Sequence, residues 1–282
     1  MKIYRYYEFQ SQDRPLTEAE QSYISSLWSR VQLTPVSATF TYHYDDFRGN
    51  PLKLLEKCFD VMVHLASDSD GQLVFRLPCA VFDAIAIKPY DIDHVITLIT
   101  TPLYVLLTIP LNPQTQYTRT EYSQLISTLA ELRYELLQGD FRVLYLAWLR
   151  AAEMSILLEK DPLEPPVPVG LQQLSVAQQA FVSLVEIPAQ LITAAAIASP
   201  LSKSIMPKPT EPLPTTSPNA DHTTALIQLV QDEPHMTLPS KTKLAPQTSQ
   251  RHIDPVQPVE SRRHWSELKA IAHQISQTHS LN

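Results

Sequence analysis

The segment "TYHYDDFRGNP", residues 41–51, concentrates side chains that could do chemistry. It places His43, Asp45, Asp46 and Arg48 within six residues of one another. A histidine can act as a general base, a neighbouring carboxylate can orient it, and an arginine can bind an anionic group. This combination predicts a hydrolase or transferase that acts on a phosphorylated or acidic substrate.

The same residues also suit a polar turn between a strand and a helix. The two aspartates can accept hydrogen bonds from turn amides, and Arg48 can pair with either of them. The following Gly49-Asn50-Pro51 is typical of the start of a helix. We therefore interpret the segment as a structural turn first and an active centre second, and we lean towards a protein that is not an enzyme.

Glycines are too few for the familiar nucleotide-binding and hydrolase motifs. The four glycines stand at positions 49, 71, 139 and 170, so none of them can form G-x-G-x-x-G, a P-loop or G-x-S-x-G. The two cysteines form no C-x-x-C pair, and the nine histidines are scattered. We expect neither a cofactor nor a metal ion.

The charge balance and the hydropathy pattern argue against two classes of partner. Residues 1–199 hold 14 lysines and arginines against 22 aspartates and glutamates, which argues against general binding to a nucleic acid but leaves a local basic patch open. The most apolar stretch, residues 95–111, contains Pro102 and Pro110 and predicts two strands rather than a membrane helix. Cys58 and Cys79 suit reduced thiols, although their spacing does not exclude a disulfide; we expect a cytoplasmic protein.

The pattern of elements predicts an α+β fold. In a first module, residues 1–112, strands alternate with helices, which indicates a small mixed sheet with helices on one face. Thr17 and Glu20 form a capping box for one helix, and an apolar stripe from Leu54 to Leu65 marks a second helix that starts at Asn50 or Pro51. Residues 113–199 predict an all-helical module.

The remainder of the chain differs in composition. Residues 200–262 are rich in proline, threonine and serine and predict a disordered linker, with a transient helix at residues 221–233. Residues 263–282 predict a short amphipathic helix. Its apolar face carries the candidate docking residues, which would bind a groove on the chain's own body or on a protein partner: Trp265, Leu268, Ala272 and Ile275.

Several phrases together resemble a family of uncharacterised bacterial proteins. They include "YYEFQSQDRPLTEAE", "GDFRVLYLAWL" and "LEPPVPVGLQQLS", and the resemblance spans roughly residues 4–200. It implies a bacterial cytosolic protein without an assigned chemistry, and a final helical part that is shorter here than in the family. Our expectation is a non-enzymatic interaction or scaffold protein with a tethered C-terminal docking helix.

Overall fold

The structure, a computed structural model, describes residues 4–43, 45–66, 71–111, 119–157, 159–201 and 262–280. Within these ranges, side chains are described except at residues 119–123 and 279–280. Nearly all of the predicted linker, including the predicted helix at 221–233, lies outside the described residues.

The architecture is α+β, as the sequence predicts. Seven strands form one sheet in the order β2-β3-β1-β4-β5-β7-β6. All the pairings among the described strands are antiparallel, whereas the sequence analysis expected a mixed sheet. The strands are β1 (Tyr4–Gln10), β2 (Gln32–Leu33), β3 (Ser37–His43), β4 (Val61–Ala66), β5 (Gly71–Pro78), β6 (Thr97–Thr100) and β7 (Tyr104–Leu111).

Helices cover both faces of the sheet. They are α1 (Glu18–Leu27), α2 (Pro51–Cys58), α3 (Arg119–Ala130), α4 (Leu132–Leu137), α5 (Arg142–Glu153), α6 (Val176–Val185), α7 (Ala189–Ala198) and α8 (Trp265–Ser280). Side chains of α1 and α2 pack with one face of β1, β3 and β4 in a first apolar cluster. A second, larger cluster joins the opposite face of the sheet to α3–α8, so the predicted N-terminal and helical modules share a continuous core.

Local signals place several helix ends correctly. Thr17 caps α1 in a capping box with Glu20, and Ser175 caps α6 in the same way with Gln178. Gly139 follows α4 with a φ of +83°, a conformation that glycine adopts without steric cost. These signals work because each cap depends only on residues that are near one another in the chain.

The second helix is shorter than predicted. Its N-cap is Asn50, as expected, but α2 ends at Cys58, and the last part of the predicted apolar stripe belongs to β4. Strand β4 lies between β1 and β5 in the centre of the sheet, so most of its residues are buried whichever face they point to. A central strand therefore produces an apolar run that also fits a helical period.

A group of ionised side chains lies where the sheet meets α4; we call it the Asp60 cluster, after its central residue. Arg133 of α4 donates two hydrogen bonds of 2.8 Å to the Asp13 carboxylate and lies 3.4 Å from Asp60. Arg76 of β5 donates to Asp60 over 2.6 Å. Asp60 and Arg133 are almost completely buried, with exposed side-chain fractions of 0% and 1%. Two arginines thus balance two aspartates.

Backbone groups complete the Asp60 cluster. The second carboxylate oxygen of Asp60 accepts hydrogen bonds from the amides of Gln12 and Asp13, over 2.7 and 3.0 Å. Arg133 Nε donates to the carbonyl oxygen of Arg76 over 2.9 Å. The loop after β1, the strand β5 and the helix α4 are therefore joined at a single point, which holds α4 against the sheet.

Candidate functional site

The predicted catalytic segment lies between the end of β3 and the start of α2. Asp46 is its most connected side chain: one carboxylate oxygen accepts hydrogen bonds from Tyr7 Oη over 2.9 Å and from the Phe47 amide over 2.7 Å. The other oxygen lies 3.8 Å from Nη1 of Arg5. Asp46 therefore ties the turn to β1, which is the role of a structural residue.

The other three candidates contact Tyr4, Arg5 and Trp28. The ring of His43 lies 5.5 Å from the ring of Tyr4, its cross-strand partner. Asp45 accepts a hydrogen bond from Arg5 through its backbone oxygen over 3.1 Å. The guanidinium of Arg48 lies 4.7 Å above the ring of Trp28, in a cation–π contact. Three of the four candidates thus contact residues of β1, and the fourth contacts Trp28.

Electrostatics also make Asp46 and Tyr7 unsuited to proton transfer near neutral pH. The Phe47 amide, the Tyr7 hydroxyl and the Arg5 guanidinium hold the pKa of Asp46 below its usual value despite partial burial. Burial and the hydrogen bond to Asp46 raise the pKa of Tyr7 well above its usual value. A catalytic acid or base works best with a pKa near the working pH, and both groups move away from it.

The structure adds residues to this region that sequence reasoning missed. Arg5 and Tyr7 come from β1, and His64 of β4 stacks on the ring of Tyr7 at a centroid distance of 4.3 Å. One signal in the sequence was available, since "YRYYEFQ" places two charged residues among aromatic residues on a largely buried strand. The cross-strand register of β1 with β4, which brings His64 to Tyr7, is not visible in a single strand.

The structure places the predicted docking residues against the chain's own helices. Trp265, Leu268 and Ala272 are buried in the large core cluster, and Ile275 is half-buried at its edge. The ring of Trp265 meets the ring of Trp148 of α5 edge-on, at a centroid distance of 6.0 Å. Helix α8 packs along α7. Its opposite face is exposed and largely polar.

A second buried ionised group lies at the start of α8; we call it the Glu164 cluster. The guanidinium of Arg263 donates to both carboxylate oxygens of Glu164, over 2.8 and 2.7 Å. The hydroxyl of Tyr145 donates to the same carboxylate. Arg263 also donates to the carbonyl oxygen of Ala194 in α7 over 3.1 Å. Glu164 is 1% exposed, so this arginine neutralises a carboxylate in the protein interior.

Further contacts hold the segment that leads into α8. Leu163 and His264 form an isolated antiparallel bridge. Asp161 accepts hydrogen bonds from the amide and the hydroxyl of Ser266, over 2.7 and 2.9 Å. We call the surface that receives α8 the tail groove; it consists of residues 161–164, Tyr145 and Trp148 of α5, and helix α7.

Other parts of the described structure are weaker candidates for a functional site. A shallow, open cleft of about 510 Å³ separates α3 and α4 from the start of α6, and its Glu135 already accepts a hydrogen bond from Gln178 over 2.6 Å. The described residues contain no group of three or more His, Cys, Asp or Glu side chains that could hold a metal ion. Cys58 is buried and Cys79 exposed, and both are free thiols.

Comparison of the chain with family models, with curated proteins and with solved structures found no match. The resemblance to a bacterial family therefore stays a prediction. Among the described helices, none combines the length and the apolar character needed to cross a bilayer.

Proposed function

We propose that this chain is a non-enzymatic interaction protein whose C-terminal helix is a docking element and whose tail groove is the matching receptor. The observation that carries the proposal is the Glu164 cluster. A buried carboxylate without a counter-charge is costly, and Arg263, which arrives with α8, supplies that charge. The tail groove is therefore matched to a helix that carries an arginine just before its first apolar residue.

The apolar contacts fit the same mode of recognition. In helix-in-groove binding, an amphipathic helix places apolar anchors spaced by three or four residues into a groove. Trp265, Leu268 and Ala272 have this spacing and are buried. Aromatic residues are frequent anchors because they bury a large area with little loss of side-chain freedom. A protein partner that presents a helix with these features would compete with α8 for the tail groove.

The alternative remains a hydrolase or transferase that uses residues 42–48. It has less support, because three of the four candidates contact residues of β1 and the fourth contacts Trp28, as expected of a structural turn. The interaction hypothesis, in contrast, rests on contacts that converge on one surface. The two free thiols and the predicted bacterial family favour a cytoplasmic location for this interaction.

A fluorescent peptide with the sequence of residues 262–282 tests the proposal. In a full-length L268E variant, a buried charge should expel the tail and leave the tail groove open. We expect the peptide to bind this variant at least about tenfold more tightly than it binds the wild-type chain, whose own helix competes in the same molecule. Fluorescence anisotropy measures both affinities.

Matched peptides provide the controls. Gln274 is exposed on the far side of α8, so a Q274E peptide should bind like the wild-type peptide. An L268E peptide carries the same added charge on the buried face and should not bind. Equal affinity of the wild-type peptide for the L268E and wild-type chains, or no binding to either, would contradict the proposal.

A further inference from the structure

The described contacts show how α8 is connected to its receptor. The contacts that hold it come from residues 262–280, whereas the tail groove belongs to residues 145–198. Sixty residues separate Leu201 from Arg262. Arg263 contacts Ala194 of α7, which precedes Leu201 by only seven residues. Because each extended residue spans about 3.3 Å, sixty residues are many more than the connection within one molecule requires. The chain length therefore permits the same contacts within one copy or between two copies.

The chemistry of the tail groove narrows the choice of occupant. It needs a cation opposite Glu164, a hydroxyl and an amide opposite Asp161, and apolar groups next to Trp148. The segment "RHWSELKAIA", which begins at Arg263, meets all these needs, and every copy of the chain carries it. A second copy is thus the partner whose complementarity is already demonstrated by the intramolecular contacts.

We propose that two copies of this chain exchange their C-terminal helices, so that α8 of each copy occupies the tail groove of the other. This inference rests on the proposed function, because it requires the tail groove to accept a helix from another molecule. Exchange of an identical element preserves every contact of the monomer and only changes which chain supplies it. The reciprocal dimer should form at concentrations that approach the effective concentration of the tethered helix, on the order of millimolar.

Mixing experiments on the full-length chain test the exchange. Wild-type chains with and without a mass tag are mixed at about 10 µM to 1 mM and examined by light scattering after gel filtration and by native mass spectrometry. We expect a dimer fraction that rises with concentration and contains mixed-tag dimers. The Q274E chain should behave like the wild type, whereas the L268E chain should stay monomeric over the same range.

Two variants with opposite charge reversals should form dimers with each other in preference to dimers with themselves. In the R263E chain two carboxylates would face each other, and in the E164R chain two guanidiniums would face each other, so each variant alone loses its internal ion pair. In a mixed dimer with exchanged helices, both ion pairs are restored between the chains. The mixture should therefore dimerise at least about tenfold more tightly than either variant alone, because like charges face each other in every state of a single variant but not in the exchanged mixed dimer.

Circular dichroism first establishes that E164R folds, since arginine is larger than glutamate at a buried position. If it does not fold, a mixture of the L268E chain with the tagged wild-type chain replaces it; the open tail groove of the former should capture the tail of the latter. Monomers at every concentration in every mixture would overturn the exchange. If the free peptide nevertheless binds the L268E chain, the proposed function stands and the occupant is a different protein; if the peptide also fails, both proposals are wrong.

Discussion

The Asp60 cluster and the Glu164 cluster are both buried ion-pair groups, yet they differ in how many partners they have. Asp60 is balanced by Arg76 and Arg133 and by two backbone amides. Glu164 has one arginine and one tyrosine hydroxyl. A charge with more partners is harder to release without leaving an uncompensated group. The difference is consistent with the proposal that α8 can leave the tail groove, whereas the Asp60 cluster stays intact.

The positions of the partners in the chain reinforce this contrast. Arg76 lies in β5 and Arg133 in α4, whereas Asp13 lies in the loop after β1 and Asp60 in the short connection that precedes β4. The Glu164 cluster gains its arginine from a segment that is separated from the rest of the body by sixty residues. Loss of α8 would remove one layer of the core, whereas loss of Arg133 would remove the ion pairs that join α4 to Asp13 and Asp60.

The largest expected effect is that of R133A. The substitution removes the arginine that joins Asp13 and Asp60 to α4 and leaves a buried carboxylate with only one cation. We expect a loss of about 3–5 kcal/mol in the free energy of unfolding, measured by urea denaturation. The matched control is R14A, whose exposed pair with Glu20 should contribute less than about 1 kcal/mol. Equal effects of the two substitutions would remove the distinction between a buried and an exposed pair.

A smaller and more local effect is expected from E164Q. The amide keeps the shape of the side chain but removes the charge that binds Arg263, which should weaken the docking of α8 by about 2 kcal/mol. Hydrogen exchange should show this as roughly thirtyfold less protection in α8, with β1 and β4 unchanged. S266A, which removes a more exposed hydrogen bond to Asp161, is the control and should have a smaller effect. Equal loss of protection in α8 and in the sheet would contradict a separable helix.

Acid titration tests how much the ionised Asp60 carboxylate stabilises the fold. Burial acts to raise the pKa of Asp60, but the amides of Asp13 and Gln12 and the arginines outweigh it, so its pKa lies below the usual value. A lowered pKa in the folded state means that this carboxylate stabilises the fold fully above about pH 4, the value of an unfolded aspartate, and that the effect is lost as the pH falls through the folded-state pKa.

The stability of the wild-type chain should therefore decrease below pH 4, and the decrease should be shallower in D60N, which has no proton to gain at this position. Urea denaturation at pH 7, 4 and 3 measures the difference. An identical pH dependence of the two chains would show that Asp60 titrates in the same way in the folded and unfolded states.

The smallest effect is expected at the turn that the sequence marks as a catalytic candidate. Asp46 is 63% exposed, and its bonds to Tyr7 and Phe47 can be replaced by an asparagine oxygen. D46N should therefore change the free energy of unfolding by less than about 1 kcal/mol. The triple variant H43A/D45A/R48A should also fold, because these side chains lie on the surface. A loss of several kcal/mol in either variant would show that this turn contributes as much to stability as the two buried clusters do.

Much of the local structure could be predicted from the sequence. The capping boxes at Thr17 and Ser175, the helix start at Asn50 and the hairpin formed by β6 and β7 all depend on neighbouring residues. The boundary between α2 and β4 could not, because buried central strands and buried helices have similar apolar patterns. For the candidate site, the sequence identified Asp46 and Trp265 as noteworthy but not the residues they contact.

The partners in both buried clusters are distant in the chain. Arg76 was a visible signal, a charged residue within the apolar strand "LVFRLP". Its counterpart Asp60 lies 16 residues away, while Asp13 and Arg133, which complete the cluster, are 120 residues apart. Glu164 and Arg263 are separated by 99 residues. A single sequence does not show that such distant residues are in contact, because the contact exists only after the sheet and the helices have packed.

By itself, the sequence determined the α+β class, the helix caps, the apolar face of α8 and the absence of glycine-rich catalytic motifs, since each depends on composition or on residues a few positions apart. Only the tertiary structure decided which contacts the suspected catalytic residues make, that Asp60 is balanced by two arginines, and that Glu164 pairs in the interior with Arg263, just before α8. Burial and long-range pairing set the energy of a charge, and both are properties of the packed chain.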